Sequence, residues 1–589
     1  VDVRVAFCFP DTYEIGMSNI GMRILYGVMN EMEGVWCERV FAPWGDMEAE
    51  MRAHGLPLWA LESHDPVSEF DLIAFTIGYE MSYTNILNML DLAGVPLLAK
   101  EREGLENIVF GGGVCTVNPE PLADFFDFFS LGEGEDSTRE IVECYRAAKR
   151  AGKSKAEFLL DVAKIPGVYV PSLYEHSYNA DGTIAAITPC PGAPKQVTKR
   201  IVEDLNHAYF PAKTIVPSTE IVHDRSNLEI FRGCIRGCRF CQAGFCYRPI
   251  RSKRADVLCE QAIESLEDSG NSEITLASLS TSDYRQLPEL ADKLLAYCEP
   301  RKINLSLPSL RADNFSRELM MKVQKVRKSG LTFAPEAGTQ RLRDAINKNV
   351  TEEEVMKTCR IAFEGGYDTV KLYFMMGLPT ETDADIVGIA QLAQKVVDLF
   401  YENPHRPKGK NVQVSISTAT FVPKPFTPFE FEPQATHAQI EHKQQVLRDV
   451  LDAHASAVVC QTEDLPRTLS TLNTPPRIVI TDSQAFGQVS RDTPESVPLT
   501  SFSILMARAK GNLSAIAAGA MAADHLQDGD RILVSEGCTH HRQCGDIGTV
   551  KLPAWLKKHS GRNLTLPAVR IFRSSWSSML WWCIAAAAC

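Results

Sequence analysis

The chain is organised around Phe231-Arg-Gly-Cys-Ile-Arg-Gly-Cys-Arg-Phe-Cys-Gln242, which sets Cys234, Cys238 and Cys241 in a C-x3-C-x2-C array. Thiols this close in sequence select soft metal centres, namely zinc, copper(I) or iron–sulfur clusters. Zinc usually takes four ligands in two pairs, whereas a [4Fe–4S] cluster with only three thiolates keeps one iron open. The array therefore favours such a cluster over a zinc site or over thiols scattered in a core.

The same residues carry a family resemblance. C-x3-C-x2-C with an aromatic residue, Phe240, before the last Cys is similar to the signature of the radical S-adenosylmethionine (SAM) superfamily. The resemblance covers about residues 1–434 and is greatest to members with an N-terminal cobalamin-binding-like domain. It implies a [4Fe–4S] cluster on the three Cys, SAM bound at the open iron and reduced to a 5′-deoxyadenosyl radical, and an electron donor such as ferredoxin or flavodoxin.

Composition limits the classes of function. A net charge of −13 argues against broad nucleic-acid binding, which relies on phosphate neutralisation. The basic run Arg248-Pro-Ile-Arg-Ser-Lys-Arg254 is expected to form a solvated charged face, with contact to an anionic substrate or RNA as the alternative. The 17 Cys in no regular framework, and no signal-like start, predict a cytoplasmic protein. No apolar run approaches the ~20 residues of a membrane span.

Alternating strand and helix signals predict an α/β protein with several domains, because 589 residues exceed one core. We expect a Rossmann-like parallel sheet over residues 1–190, a linker over 191–226 and, by the resemblance, a partial (β/α)6 barrel over 227–436. A small α/β domain is expected over 437–589. The six predicted barrel strands are Leu228–Phe231, Glu273–Leu276, Ile303–Ser306, Leu331–Phe333, Thr369–Tyr373 and Gln413–Ser417.

The turn after the first N-terminal strand, Asp11-Thr-Tyr-Glu-Ile-Gly16, resembles the D-x-H-x-x-G loop of cobalamin-binding domains. Tyr13 stands where the cobalt-ligating His belongs, so a bound corrinoid would lack a His ligand on its lower face. The resemblance makes Asp11, Tyr13, Gly16, Ser82 and Gly112 candidate cofactor contacts. The alternative is a domain that has lost the cofactor and only docks or recognises substrate.

Two further positions match SAM contacts of the family. Glu336, after the fourth predicted barrel strand, is the candidate for the ribose or amino-acid portion of SAM; an ordinary surface acid is the alternative. Gly377, in the loop after the fifth strand, would let the backbone approach adenine. Arg341 and Lys371 are weaker candidates for the SAM carboxylate, by charge alone.

The C-terminal segment resembles a different family, the maturation GTPase that acts as scaffold for [FeFe]-hydrogenase. Cys538 and His540, in Glu536-Gly-Cys-Thr-His-His541, match the first half of its cluster motif, so a second iron–sulfur site is predicted there; an exposed polar turn is the alternative. The resemblance also implies a homodimer through this segment and hydrogenase-maturation partners. The chain has no G-x4-G-K-[ST] phosphate loop, so the GTPase domain itself is missing.

The last residues of the chain do not have the sequence pattern of a folded terminus. The family's HCxxC motif is absent, but codon degeneracy permits a shifted frame over Arg570–Cys589 that contains it. We expect these last residues, about 20 of them, to be out of frame, in a fusion joined near residues 435–448. The coding DNA tests both expectations.

Three functions compete. The first is a radical SAM enzyme that acts on an unassigned substrate, with methyl or sulfur transfer as candidate outcomes. The second is an iron–sulfur scaffold for hydrogenase maturation, through the C-terminal segment. The third is a corrinoid-binding module without turnover.

Overall fold

The computed structural model describes residues 1–307, 331–404, 406 and 411–453, and the four short strands Val458–Cys460, Ile478–Thr481, Leu499–Ser501 and Ile532–Ser535. Cys538, His540 and the C-terminal tail lie outside the described residues. Within the described part, no helix is both long and apolar enough to cross a membrane.

The N-terminal part is a six-stranded sheet of order β2-β1-β3-β4-β5-β6, parallel except for β6. Its strands are β1 Val3–Phe9, β2 Val35–Phe41, β3 Leu72–Thr76, β4 Ile108–Gly112, β5 Phe128–Ser130 and β6 Val168–Tyr169. Its helices are α1 Tyr13–Gly16, α2 Ile20–Asn30, α3 Gly45–His54, α4 Tyr83–Leu92, α5 Gly134–Ala151 and α6 Lys155–Val162.

Both faces of this sheet are covered, which explains the sequence of its strands. Val3, Val5 and Phe7 of β1 pack into one apolar cluster, while Ala6 and Cys8 pack into another on the opposite face. A parallel strand buried on both faces reads as an almost continuous apolar run. The predicted Rossmann-like sheet is confirmed, and its carboxyl edge carries the loops after β1, β3 and β4.

The segment after β6 contains an antiparallel hairpin, β7 Tyr174–Tyr178 and β8 Ile184–Pro189. The chain then runs irregularly to residue 225 and packs against the N-terminal domain. The backbone amide of Val222 donates to the carbonyl of Glu14, and that of His223 donates to Ser18 Oγ. This segment therefore passes along the turn that follows β1 before it enters the next domain.

The central domain has parallel strands in two arcs, in the orders β13-β12-β9 and β14-β15-β16-β17. Its strands are β9 Ser226–Glu229, β10 Phe231–Arg232, β11 Arg251–Ser252, β12 Glu273–Ala277, β13 Asn304–Ser306, β14 Leu331–Glu336, β15 Thr369–Met376, β16 Gln413–Thr420 and β17 Val458–Cys460. Its helices are α7 Ala255–Ser269, α8 Leu287–Arg301, α9 Gln340–Ala345, α10 Glu352–Glu364, α11 Asp383–Glu402 and α12 His437–Ala453. All six predicted barrel strands are present, and β10 pairs with β11 around the cysteine loop.

Along β15, successive side chains point alternately toward the surrounding helices and toward the inner face of the arc. Val370, Leu372 and Phe374 of β15 are buried in the cluster formed with the helices, whereas Lys371 and Tyr373 alternate with them and are only partly buried. Period-two alternation puts these two on the inner face of the arc. The inner face is thus open to polar groups, and its loops after the carboxyl ends of the strands form the site.

Helix α12, strand β17 and the three last strands lie in the C-terminal segment of the sequence, although α12 and β17 pack on the central domain. Leu447 and Leu451 of α12 are buried in the apolar cluster of the central domain, so this helix packs on the barrel. The strands β18 Ile478–Thr481, β19 Leu499–Ser501 and β20 Ile532–Ser535 form a parallel sheet of order β19-β18-β20. The α/β character predicted for this segment is confirmed by that sheet.

Candidate active site

The cysteine loop leaves the carboxyl end of β9, where barrel active sites lie. Cys234 and Cys238 are buried, Cys241 is partly buried, and none of the three is in a disulfide. The amide of Cys241 donates to the carbonyl of Cys238, which closes a turn that holds these two side by side. The sequence prediction that the three belong to one loop at this edge is consistent with the structure.

Close backbone contacts fix the path of the loop. Gly233 has φ 91°, and a Cβ there would lie 2.7 Å from the carbonyl oxygen of Tyr247. Only glycine adopts this conformation without strain and also permits the contact. Gly233 thereby lets the loop turn inward immediately before Cys234.

Three neighbouring segments hold the loop from outside. Asn347 Nδ2 donates to the carbonyl of Gly237 at 2.7 Å, and the side chain of Gln242 donates to the carbonyl of Pro425 at 3.1 Å. Arg236 makes a two-point ion pair with Asp283, with contacts of 2.7 and 3.2 Å. The loops after β12, β14 and β16 thus fix the cysteine loop from several sides.

The inner side of the loop is apolar. Cys238 and Phe240 share one buried cluster with residues from the carboxyl ends of β14, β15 and β16: Ala337, Leu342, Ile346, Met375, Leu378, Phe421 and Phe429. Burial raises the pKa of the Cys241 thiol to about 11. A thiolate here therefore needs a bound cation at neutral pH, which a metal centre supplies.

The donor set fits an iron–sulfur cluster. Three soft sulfur ligands lie in a dry, apolar setting, as a cluster of this kind requires. In the described residues, no group of three Cys, His, Asp or Glu side chains converges on a single-ion site. Each Cys of a cluster binds a different iron, so the ligands need not converge on one point. Cys234, Cys238 and Cys241 would hold it.

Glu336 ends β14 at a β-bulge and has φ 66°, a conformation that is rare for a residue other than glycine. Its side chain is buried and pairs with Lys348 Nζ at 3.1 Å. Glu336 is therefore not the surface acid of the alternative interpretation. It lies in the loop that also supplies Ala337 to the apolar cluster around Phe240.

Gly377 follows β15 and has φ 80°. Its amide donates to Glu381 Oε1 at 2.8 Å, and the same carboxylate is held by Lys443 of α12. A Cβ at this position would lie 3.0 Å from the Cβ of Ala435. The C-terminal helix therefore packs directly on the loop expected to contact adenine.

The two weaker candidates for the SAM carboxylate differ in position. Arg341 pairs with Asp385 and donates to the carbonyl of Thr380 at 2.9 Å, and its side chain is half-exposed. Lys371 lies on the inner face of β15, with Nζ 4.8 Å from the ring centroid of Tyr373. Arg341 thus supports the loops, whereas Lys371 faces the interior of the arc.

At the carboxyl edge of the N-terminal sheet, Asp11 is brought to the loop after β3. Tyr79 donates its hydroxyl to Asp11 Oδ2 at 2.7 Å, and burial raises the pKa of Asp11. Ser82 is fully buried and donates to the carbonyl of Tyr79 at 2.7 Å, so its hydroxyl is already used. Gly112 ends β4 at the same edge, and Gly16 ends α1.

Tyr13 is held by the linker and by the end of β2. Its hydroxyl accepts a hydrogen bond from the amide of Ser218 at 3.2 Å, and its ring packs edge-on against Phe41 at 5.3 Å. The residue at the expected ligand position thus supports the linker. This arrangement agrees with a site that offers a corrinoid no axial ligand from Tyr13.

A buried ion-pair network joins the two domains beside the cysteine loop. Arg232 pairs with Glu229 of its own domain and with Glu135 of α5. Arg251 pairs with Glu133 through contacts of 2.6 and 2.7 Å. The predicted solvated face of the basic run is wrong for Arg251 and for Lys253, which is 3% exposed. The cause is tertiary: Arg251 pairs with Glu133, and Lys253 donates to Gln261 beside the ring of Phe210.

Models of known families match most of the chain. The radical SAM superfamily model matches residues 228–393, and the model of the N-terminal part of radical SAM proteins matches 21–171. An uncharacterised protein of Methanocaldococcus jannaschii is 30% identical over 433 residues, which covers 73% of this chain and 79% of that one.

The chain belongs to the radical SAM superfamily.

Solved structures show the fold of this radical SAM enzyme. The cobalamin- and [4Fe–4S]-bound radical SAM methyltransferase TsrM of Kitasatospora setae is 14% identical, with TM-score 0.50, and the match covers 73% of this chain and 74% of that one. The cobalamin-dependent radical SAM enzyme OxsB is 15% identical, with TM-score 0.44, over 77% of this chain and 56% of that one.

The C-terminal segment matches another family, as its resemblance predicted. The hydrogen maturase F dimerization domain matches residues 432–511, and the tetramerization domain matches 514–574. These matches indicate an oligomerising segment. Cys538 and His540 fall inside the second match, and α12 falls inside the first.

The sequence analysis did not identify two residues of the site, Lys348 and Tyr79. Lys348 contacts Glu336 because the turn after α9 directs its side chain back to the end of β14. Tyr79 follows β3 and contacts Asp11, which follows the neighbouring strand β1. The asparagines that flank Lys348, Asn347 and Asn349, both have positive φ and are the one sequence clue to that turn.

Proposed function

We propose that this radical SAM enzyme cleaves SAM reductively at a [4Fe–4S] cluster held by Cys234, Cys238 and Cys241, and that the resulting radical attacks a substrate bound between the two domains. The observation that carries the proposal is the loop itself. Its three cysteines follow β9 at the carboxyl edge, outside any disulfide, with Cys238 and Phe240 in one apolar cluster.

The chain's own residues would bind and orient SAM and shield the cysteines from water. Phe240, Phe421 and Phe429 exclude water from one side of the cysteines. Glu336 and the backbone at Gly377 stand at the ends of β14 and β15, within reach of a ligand at the same edge. When bound, the cluster would supply one electron to the sulfonium of SAM, which releases methionine and a 5′-deoxyadenosyl radical.

We propose further that the N-terminal domain holds a corrinoid without a protein ligand on its lower face. Asp11 and Tyr79 are joined at the carboxyl edge, where open α/β sheets bind ligands, while Tyr13 is held by the linker. The fold shared with TsrM, whose structure contains bound cobalamin, supports this. A corrinoid between the domains makes methyl transfer the favoured outcome, with sulfur transfer as the alternative.

The test is anaerobic reconstitution of the full chain with iron and sulfide, followed by dithionite and SAM. We expect 5′-deoxyadenosine and methionine in equal amounts, and no product from the triple variant Cys234→Ala, Cys238→Ala, Cys241→Ala. Added cobinamide, which lacks the nucleotide base of cobalamin, should bind and, once reduced to the Co(II) form, show an EPR spectrum without nitrogen splitting from an axial ligand. A spectrum with such splitting would contradict the corrinoid proposal.

A second function is favoured by the C-terminal matches. Hydrogen maturase F domains cover residues 432–574 almost without a gap, and Cys538 and His540 lie in the second. We propose that they hold a second iron–sulfur site in an assembly protein for hydrogenase maturation. The amount of iron bound per chain tests this proposal. If the second site exists, adding Cys538→Ala and His540→Ala to the triple cysteine variant should lower the bound iron below that of the triple variant.

The same domains support a homodimer through the C-terminal segment, with hydrogenase-maturation proteins as its partners. An electron donor such as ferredoxin or flavodoxin would serve the cluster. Free thiols throughout the described part fit a reducing compartment, so we place the protein in the cytoplasm. Light scattering of the full chain checks the oligomer, and fractionation checks the compartment.

A further inference from the structure

Phe426 lies in a tight turn of the loop after β16. The amide of Thr427 donates to the carbonyl of Lys424 at 3.3 Å, and the hydroxyl of Thr427 donates to the same carbonyl at 2.8 Å. Pro425 and Phe426 are the two central residues of this turn, and Phe426 has φ 61°. Because proline fixes φ near −65°, a positive φ at the next residue makes the turn type II.

Phenylalanine is an unfavourable residue at this position. The third residue of a type II turn needs a positive φ, which glycine or asparagine normally supplies. A bulky side chain there is strained, and such strain is concentrated at functional sites. Packing within the loop does not account for the ring, because Phe426 is 61% exposed, whereas Phe421, Thr427 and Phe429 of the same loop are buried. The turn therefore presents an aromatic ring to solvent against its own backbone preference.

The turn also lies where the two domains meet. Lys424 contacts both carboxylate oxygens of Glu80, in the loop after β3 of the N-terminal sheet, at 2.7 Å. The carbonyl of Pro425 accepts from the side chain of Gln242, in the cysteine loop, at 3.1 Å. The turn that carries Phe426 is thus bound to the N-terminal domain on one side and to the cysteine loop on the other.

Other apolar side chains are exposed on the adjoining loops. Met81 lies in the loop after β3, Ile235 in the cysteine loop and Leu279 in the loop after β12. The ion pair between Arg236 and Asp283 joins the last two of these loops. Exposed apolar side chains at an edge that binds ligands favour an apolar ligand over a highly charged one.

We infer that Phe426 is a specificity-determining residue that stacks on an aromatic ring of the substrate at the entrance between the two domains. The inference deepens the proposed function and rests on it: the substrate that receives the radical is a small molecule with an aromatic or heteroaromatic ring. Ring stacking needs an exposed flat face, which Phe426 provides and an aliphatic side chain would not. Binding also removes the exposed ring from water, which is favourable.

The experiment uses the full-length, cluster-loaded chain and 2-naphthol, a small planar probe, in anaerobic equilibrium dialysis. Phe426→Gly should weaken 2-naphthol binding about 3- to 10-fold, the effect of losing one aromatic pair. Phe426→Tyr keeps the ring and should keep most of the affinity. An unchanged affinity in Phe426→Gly would overturn the inference.

The matched control removes a second exposed ring from the same loop. Phe431 is 93% exposed and is not among the residues with positive φ. Phe431→Gly should bind 2-naphthol as the wild type does. Equal losses from the two glycine variants would indicate a general apolar surface and would contradict a specific role of Phe426.

A structural role for the ring makes a different prediction. If Phe426 served to stabilise the loop, Phe426→Gly would lower the midpoint of thermal unfolding. Because glycine adopts a positive φ without strain, the inference predicts a midpoint no lower than that of the wild type. Circular dichroism of both proteins measures it, and a clearly lower midpoint would assign the ring to packing instead.

Cofactor binding separates this inference from the function beneath it. If the wild type leaves SAM intact, the proposed function fails and the substrate assignment with it. If the wild type cleaves SAM but Phe426→Gly binds SAM or cobinamide less tightly, the ring stacks on a cofactor and only the inference is overturned. Equal affinities for both cofactors, together with weaker 2-naphthol binding in Phe426→Gly, support it.

Discussion

Lys424, in the loop after β16, contacts both carboxylate oxygens of Glu80, in the loop after β3, at 2.7 Å. The contact joins the carboxyl edge of the barrel to the carboxyl edge of the N-terminal sheet. Arg232, after β9, makes a second junction with Glu135 of α5. The two edges that bind ligands in their fold classes therefore face each other, as the proposed binding of substrate between the domains requires.

The interdomain network predicts a large effect from one carboxylate. Glu133→Gln removes the partner of Arg251 and one partner of Arg232, whose side chains are 10% and 12% exposed. Breaking a buried pair while leaving a charge behind should lower the free energy of unfolding by about 3 kcal/mol. Urea unfolding followed by circular dichroism measures it.

The control for that variant lies on the same helix. Glu143→Gln removes a carboxylate that is 53% exposed and pairs with Arg146. Its effect should stay within about 1 kcal/mol, as for exposed ion pairs in general. Equal effects of the two substitutions would show that the domains are not held together by Glu133.

Asp385 predicts a pH dependence. Burial acts to raise its pKa, but hydrogen bonds from Thr339 and Thr382 and the contact with Arg341 outweigh burial and lower the pKa to about 2. Because the folded value is below the unfolded value of about 3.9, this stabilisation is complete above about pH 4 and is lost as pH falls toward 2.

Asp385→Asn should therefore flatten acid unfolding between about pH 4 and pH 2 while it lowers stability at neutral pH. Circular dichroism against pH, in the wild type and the variant, checks this. Asp383→Asn, at an exposed position on the same helix, is the control. An unchanged slope in Asp385→Asn would remove Asp385 from the acid response.

Gly377 predicts a contact effect that can be separated from backbone strain. Gly377→Ala combines a left-handed backbone, φ 80°, with a Cβ 3.0 Å from Ala435. Gly94→Ala has a similar φ of 67° but nothing within 4 Å of its Cβ. Both should lose about 1 kcal/mol from strain. Only Gly377→Ala should also weaken SAM binding in equilibrium dialysis; equal SAM affinities would contradict the role of this loop.

Much of the fold was predictable because its signals are local. The six barrel strands and the parallel N-terminal sheet were predicted, since apolar runs between helical segments mark buried parallel strands. Strand β2 has a weaker local signal, because Glu38 and Arg39 interrupt its apolar pattern. The structure pairs them with Arg4 and Glu62, partners that are distant in sequence.

The site was predictable only in part. The cysteine loop has fixed spacing and was found, whereas Lys348 depends on a turn that brings α9 back to the loop. The burial of side chains in the basic run also depends on tertiary contacts, because Arg251 pairs with Glu133, more than 100 positions earlier in the chain. Charge partners that only the folded structure brings together leave no pattern of nearby residues in the sequence.

The corrinoid proposal predicts that Tyr13 is not a ligand. Tyr13→Phe removes the hydroxyl that accepts from Ser218. The absorbance spectrum of bound cobalamin should be identical in this variant and the wild type, with at most a small loss of stability from the linker contact. A shift in the corrinoid spectrum would place the phenol on the cobalt.

One measurement tests the central claim most directly: the products formed when the oxygen-protected, cluster-loaded chain receives SAM and one-electron reductant. The account predicts methionine and 5′-deoxyadenosine from the wild type and from Cys246→Ala, which removes a neighbouring thiol, and neither product when Cys238 is replaced by Ala. Protein that contains iron and sulfide and is reduced, yet leaves SAM intact, would contradict it.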